Sequence, residues 1–426
     1  MIKLKSKLPR LDLNLYSKTL DNGLEVYVIP KDNVNGINVT FSTRFGSAYT
    51  EFVPYNSSKM VSMPLGIAHF LEHKMFEQED HIDPFTFYSE RGCDANAYTS
   101  QYKTTYLFSG ATEFYDGIGF LLDYVQSPYF TDQNVEKEKG IIIQELKMYE
   151  DNPINRLYEG IIFNSFKNHP IKYPIGGTIE SVKSITKEDL YTCYSTFYHP
   201  SNMILVITGN VDPEEVICII ESNQSKKKFH DFKPIKVKRY SEPNTVCKKQ
   251  DKINMDIEIP KLGIGYKIDC SNIKENINKI KMFLSVLLDI KLGNTSLIKE
   301  KLTKENLITS NIDISLINTD KHILIIIMLE TKEQNKVLKM ITDELSNLNV
   351  TEEELERKRK VLKSNCIYRS DNIYGLNNKI TNNIFDYDKV ILDEYKLIDE
   401  INLKNIKSLL SKINLDNKTV YYINKS

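Results

Sequence analysis

Two halves of this 426-residue chain run through the same order of strand and helix patterns, on either side of a polar segment from Asn223 to Gln250. The first half opens with strand-like runs at Leu24–Ile29 and Ile37–Thr43, rich in Val, Ile and Tyr. Helical patterns follow at Leu65–Glu77 and Asp83–Arg91, then strands at Ala95–Thr99 and Thr104–Ser109. Helices are expected next at Glu113–Val125 and Asp132–Glu150. Asp151-Asn152-Pro153 ends the second, because the residue before a proline is pushed out of the helical region. More helix is expected at Arg156–Phe166 and Lys187–Phe197, and a buried strand at Met203–Thr208. The second half reads as a strand at Leu262–Ile268, helices at Lys274–Leu292 and Ser296–Glu305, and strands at Ile308–Ile317 and Ile323–Leu329. Helices Glu333–Leu348 and Glu352–Cys366 and a strand at Thr419–Ile423 complete it. The best local echo sets Thr131–Lys139 against Thr351–Arg359: a threonine N-cap, acids in the first turn, then basic residues. The repeated order points to a duplication, with domains at 1–225 and 251–426. The linker at 226–250 contains Lys226-Lys227-Lys228, Pro234 and Pro243.

Composition narrows the function classes. Lys plus Arg number 56 against 57 Asp plus Glu, so no cationic excess invites nucleic acid or an anionic membrane surface. With 41% hydrophobic and 27% charged residues the chain reads as globular, and its longest apolar run, Ile323–Leu329, suits a buried strand rather than a membrane span. The basic start, Met1–Lys7, is followed by no apolar signal core. Six cysteines, at 93, 193, 218, 247, 270 and 366, form no close pair, so neither a disulfide framework nor a zinc knuckle is expected. Together these features predict a soluble protein of a reducing cytoplasm.

The sharpest motif is His69-Phe70-Leu71-Glu72-His73. Residues four apart on a helix are offset by only about 40°, so both imidazoles project from one face and can take two positions of a tetrahedral zinc. Glu72 sits where its carboxylate reaches a water at the metal, the H-x-x-E-H arrangement of a zinc-peptidase helix. With seven histidines in the chain, chance would give this spacing and acid about once in a hundred such sequences. Ile67, Ala68, Phe70, Leu71, Met75 and Phe76 make the helix largely apolar, and polar groups on an apolar helix need partners. The remaining histidines (81, 169, 199, 230, 322) show no paired spacing and read as surface or hydrogen-bonded residues. The third ligand a catalytic zinc requires is then a carboxylate, and the helix Asp132–Glu150 offers several. Glu138 and Glu145, seven apart, share a face with Ile141, Ile142 and Met148, while Glu136 and Glu150 lie on the more polar sides. Spacing favours Glu145 without deciding for it.

These motifs, H-F-L-E-H after Gly66 and E-K-G-I-I-I-Q-E at Glu138–Glu145, resemble the pitrilysin/insulinase family of zinc peptidases, in particular its half-length bacterial members, similar to mitochondrial processing peptidases. The resemblance is specific over residues 15–215 and architectural beyond. It implies an α+β fold of two homologous α/β-roll domains, each a mainly antiparallel sheet covered by helices. Residue by residue it implies His69, His73 and Glu145 as zinc ligands, Glu72 as general base and Glu138 as a supporting catalytic acid. Asn96, Ala97 and Tyr98 resemble the edge-strand segment that pairs with substrate. Gly176–Glu180 and Phe197–Met203 are also similar to family segments.

The chain departs from the pattern in two places. Glu145 lies a few residues nearer His73 than in the best-known members. An Arg and a Tyr, seven apart in the second half of active members, are replaced here by Thr303 and by Thr309 or Ser310. The echo sets Lys358 opposite Glu138 and Asn365 opposite Glu145, so no second metal site is expected. The resulting expectation is a zinc metalloendopeptidase of extended or unfolded peptides, completed by a homologous partner subunit or a homodimer. The competing expectation is a non-catalytic, substrate-holding subunit.

Overall fold

The computed structural model describes residues 3–111 and 114–426. They fall into two compact units. One gathers the chain up to Leu146 with Pro174–Arg239 and Cys366–Glu394; the other gathers Lys147–Tyr173, Tyr240–Asn365 and Tyr395–Ser426. This partition differs from contiguous domains at 1–225 and 251–426 chiefly at two helices, Pro153–Ser165 and Ile373–Tyr387. Each covers a sheet from which it is distant in sequence.

The first unit is built on a seven-stranded sheet of β1 (Lys3–Leu8), β2 (Leu13–Thr19), β3 (Glu25–Pro30), β4 (Ile37–Thr43), β5 (Cys93–Thr99), β6 (Thr104–Gly110) and β7 (Met203–Gly209). Their order is β1-β2-β3-β7-β4-β6-β5, and only β3 and β7 run parallel. β4 and β7 are buried along their whole length, which their unbroken apolar and β-branched sequences allow. One face carries helices α1 (Ile67–Lys74) and α2 (Asp132–Glu150), together with Phe114–Val125 and Lys187–Phe197. They close a core that includes Phe41, Phe70, Leu71, Leu121, Ile142 and Leu190. Glu113, the expected start of one helix, lies outside the described residues. Against the other face, Leu376, Ile380 and Ile384 of Ile373–Tyr387 pack on Tyr27, Ile29, Ile204 and Val206.

The second unit repeats the plan with β8 (Gln250–Met255), β9 (Lys261–Asp269), β10 (Asp313–Asn318), β11 (His322–Glu330) and β12 (Lys418–Lys425), in the order β8-β12-β9-β11-β10. Only β8 and β12 are parallel neighbours. Leu157 and Ile161 of Pro153–Ser165 cover it beside Leu324, Ile326 and Ile423. Gly263 makes room: a Cβ there would stand 2.5 Å from the Ile161 Cδ1.

The segment read as a linker is polar because its partners are polar. Within the first unit His230 stacks on Tyr55 at 3.9 Å and places Nε2 2.8 Å from the Ser195 carbonyl oxygen. Within the second, Glu242 accepts the amides of Lys167, Asn168 and His169 at 2.8, 2.7 and 2.8 Å. The buried Lys267 ammonium donates to Glu242 at 2.7 Å. Among the described residues no helix is long and apolar enough to cross a membrane, and none of the six cysteines forms a disulfide.

Candidate metal centre

The centre begins with the way α1 starts. Gly66 precedes it at φ +84°, and a Cβ there would stand 2.2 Å from the Gly176 carbonyl oxygen. Gly177, at φ +81°, approaches Leu65 in the same way, and Ser181 Oγ donates to the Leu65 carbonyl at 2.9 Å. Only glycine tolerates such backbone and such contact, so the Gly176-Gly177 turn fixes the origin of α1. The helix buries Ile67, Ala68, Phe70, Leu71 and Glu72, and leaves His69 and His73 toward α2. Thr131 anchors α2: its Oγ1 accepts the Asn134 amide at 3.1 Å, and its own amide bonds Asn134 Oδ1 at 2.9 Å.

The imidazoles of His69 and His73 meet edge to face, with centroids 4.6 Å apart. Glu145 Oε1 lies 3.8 Å from His69 Nε2, and its Oε2 lies 3.6 Å from His73 Nε2. These separations are too long for hydrogen bonds. They are close to the ~3.3–3.5 Å edge of a tetrahedron with metal–ligand bonds of ~2.0–2.1 Å. Donor atoms of His69, His73 and Glu145 all lie within 4.8 Å of one another, a set that could hold a metal ion. His69 Nδ1 is buried without a hydrogen-bond partner among the described residues. Two nitrogens and a carboxylate oxygen, converging without bonding one another, form a donor set that suits zinc.

The surroundings tune each group differently. Burial, then the neighbouring His73, push His69 down to about 4, so it stays neutral and able to ligate. Burial also lowers His73, but its hydrogen bond to Glu138 and three nearby carboxylates outweigh that and raise it. Glu138 Oε1 sits 3.0 Å from His73 Nδ1, which orients the ring with Nε2 toward Glu145. Burial raises the Glu138 carboxyl, yet the His73 contact prevails and its net shift is downward. Glu72 is raised, mainly by burial, although Thr99 donates to its Oε2 at 2.5 Å. Glu136 is instead exposed and pairs with Lys139 at 3.0 Å, and Glu150 is exposed at the end of α2.

β5 forms one end of the sheet and pairs on one side, with β6. Asn96 and Tyr98 are exposed on it. The Ala97 amide bonds Asn96 Oδ1 at 2.8 Å rather than the ladder, so it faces the open edge. Thr99 ends the same strand at Glu72. Its part was not legible in the sequence, because nothing local to Tyr98-Thr99-Ser100 announces a partner 27 residues away. In the other unit Thr303 and Ser310 are exposed, and Lys358, the counterpart of Glu138, bonds Asp289 at 2.5 Å.

Comparison with known proteins places this geometry. Residues 62–179 match the insulinase (peptidase family M16) model, and residues 184–362 match the model described as the peptidase M16 inactive domain. The chain is 37% identical over 406 residues to the uncharacterized zinc protease YmfH of Bacillus subtilis, covering 95% of this chain and 94% of that one. The chain belongs to the insulinase (M16) family of peptidases. Within it, a crystal structure of a putative M16-like peptidase from Alicyclobacillus acidocaldarius matches with a TM-score of 0.92 at 32% identity, covering 98% of this chain and 99% of that one. The beta subunit of the mitochondrial-processing peptidase of Caenorhabditis elegans is 29% identical over 203 residues, 46% of this chain and 44% of that one. The two-unit α+β architecture is that of the M16 relatives, and the H-x-x-E-H helix lies inside the matched peptidase segment.

Proposed function

We propose that the chain is a zinc endopeptidase that cleaves extended or unfolded peptides, with His69, His73 and Glu145 as metal ligands and Glu72 as general base. The observation that carries this reading is the convergence of those three donors beside a buried acid, at the end of a half-paired edge strand. A zinc ion held there would supply Lewis acidity to a water and to a substrate carbonyl. Glu72 accepts a proton from the attacking water at its carboxylate and returns it to the leaving amine nitrogen. Glu138 holds His73 in the ligating tautomer. A peptide adds to β5 as a further strand, with the Ala97 amide available to its backbone once Asn96 releases it.

A homologous partner completes the substrate site on this reading. Thr303 and Thr309 or Ser310 offer no Arg–Tyr pair, and one similar relative is by its name a subunit. The even charge balance argues against nucleic acid, and six cysteines with no disulfide among them suit a reducing cytoplasm. The test is to incubate the zinc-loaded chain with a mixed peptide library, alone and with candidate homologous partners, and to identify products by mass spectrometry. Glu72→Gln serves as the blank. Products that disappear in the blank support the assignment; products of equal yield from Glu72→Gln overturn it.

A further inference from the structure

Thr99 lies where β5 meets α1. Its Oγ1 donates to Glu72 Oε2 at 2.5 Å and stands 3.1 Å from Thr104 Oγ1 on β6. Thr104, fully buried, donates its own hydroxyl proton to the Phe45 carbonyl oxygen at 2.9 Å. A hydroxyl has one proton to give and can accept at its oxygen. The Thr104 proton is committed to Phe45, so its oxygen faces Thr99 as an acceptor only. The Thr99 proton is therefore free to point at the Glu72 carboxyl, and Thr104 backs the Thr99 hydroxyl from β6.

We propose that Thr99 is the positioning residue of Glu72, fixing the direction of that carboxyl through the hydroxyl contact at Oε2. The inference rests on the reading of Glu72 as the base. It extends that reading to the substrate strand: Asn96–Tyr98 and Thr99 are consecutive on β5, so the strand that receives the peptide also holds the base. A group that takes up and returns a proton gains from a fixed location, since small misplacements in a catalytic site cost large factors in rate. Burial alone would leave Glu72 free to rotate away from the metal face.

Thr99→Ala and Thr99→Ser differ only in the hydroxyl, and both are smaller than threonine, so neither crowds the site. In metal-free protein, proton NMR is expected to show a downfield hydroxyl resonance in the parent chain and in Thr99→Ser, absent from Thr99→Ala. A resonance that persists in Thr99→Ala overturns the assignment. In zinc-loaded protein, Thr99→Ala should lower kcat by roughly 10–100-fold, with KM and zinc content unchanged, and Thr99→Ser should recover most of the loss. Unchanged kcat in Thr99→Ala overturns the proposal. So does a joint loss of zinc and turnover that Thr99→Ser fails to repair. Equal turnover by the parent chain and Glu72→Gln would instead refute the base reading, and the resonance then decides the Thr99 contact on its own.

Discussion

An imidazole that must ligate a metal and a carboxyl that must carry a proton need different surroundings, and the residues around α1 receive them. His69 is driven neutral by burial, whereas His73 is held by Glu138 through its other nitrogen. On the proposed reading Glu138 orients His73 rather than reacts. Glu138→Gln should raise the zinc dissociation constant by roughly 10–100-fold while leaving the fold intact, as measured by chelator competition. An unchanged constant would show that His73 needs no such support. The H-F-L-E-H spacing made the pairing of His69 with His73 on one helix face legible directly. Glu145 could only be favoured among the four glutamates of α2, because which carboxylate reaches the two imidazoles depends on how two helices cross. Thr99 was invisible for the same reason: its partner is close in space and remote in sequence.

Helices and strands with strong local punctuation were legible almost to the residue. α2 runs Asp132–Glu150, between the Thr131 cap and the Asp151-Asn152-Pro153 stop. The echo at Thr351 proves to be the same capping device, with Oγ1 accepting the Glu354 amide at 3.2 Å and the Thr351 amide bonding Glu354 Oε2 at 2.7 Å. The helix Ile373–Tyr387 was missed, because its asparagines have poor helix propensity and mask the apolar ridge of Leu376, Ile380 and Ile384. Asn377 repays that local weakness in the tertiary structure: fully buried, it donates to the Asn38 and Val206 carbonyls, each at 2.9 Å. β1, β2 and β8 escaped notice because polar residues outnumber or interrupt the apolar ones in these short strands. Two predictions belong to this scale. Gly66→Ala should cost at least ~1–3 kcal/mol in thermal unfolding and weaken zinc binding, since it strains a φ of +84° and meets the Gly176 carbonyl. A melting temperature matching the parent chain would refute that account of the α1 origin. Ala97→Pro removes an amide that no ladder bond uses, so it should raise KM about tenfold with little change in zinc content. Kinetics with an unchanged KM would argue against strand addition at β5.

At the scale of the whole molecule, each unit closes a sheet between helices drawn from distant parts of the chain, and buried polar clusters fasten the intervening segment. In the second unit burial holds His169 down at about 4 from its ordinary 6.5. The unfolded chain therefore binds more protons than the native one between those values, and stability should fall as pH drops from about 6.5 to 4. Burial raises Glu242, but the Lys267 bond and three backbone amides prevail and lower it, so its share is lost below the ordinary carboxylate range. Denaturant midpoints measured across pH 7 to 4 should decline, and His169→Gln should flatten part of the slope; a flat parent profile would contradict the assignment. The central claim concerns the metal. The most direct measurement is zinc content with X-ray absorption at the zinc edge, on the parent chain and His73→Ala. The account predicts about one zinc per parent chain, with imidazole and carboxylate scatterers at ~2.0–2.1 Å and no sulfur, and loss of that zinc in His73→Ala. Sulfur ligation by the free cysteines, or full zinc content in His73→Ala, would contradict it.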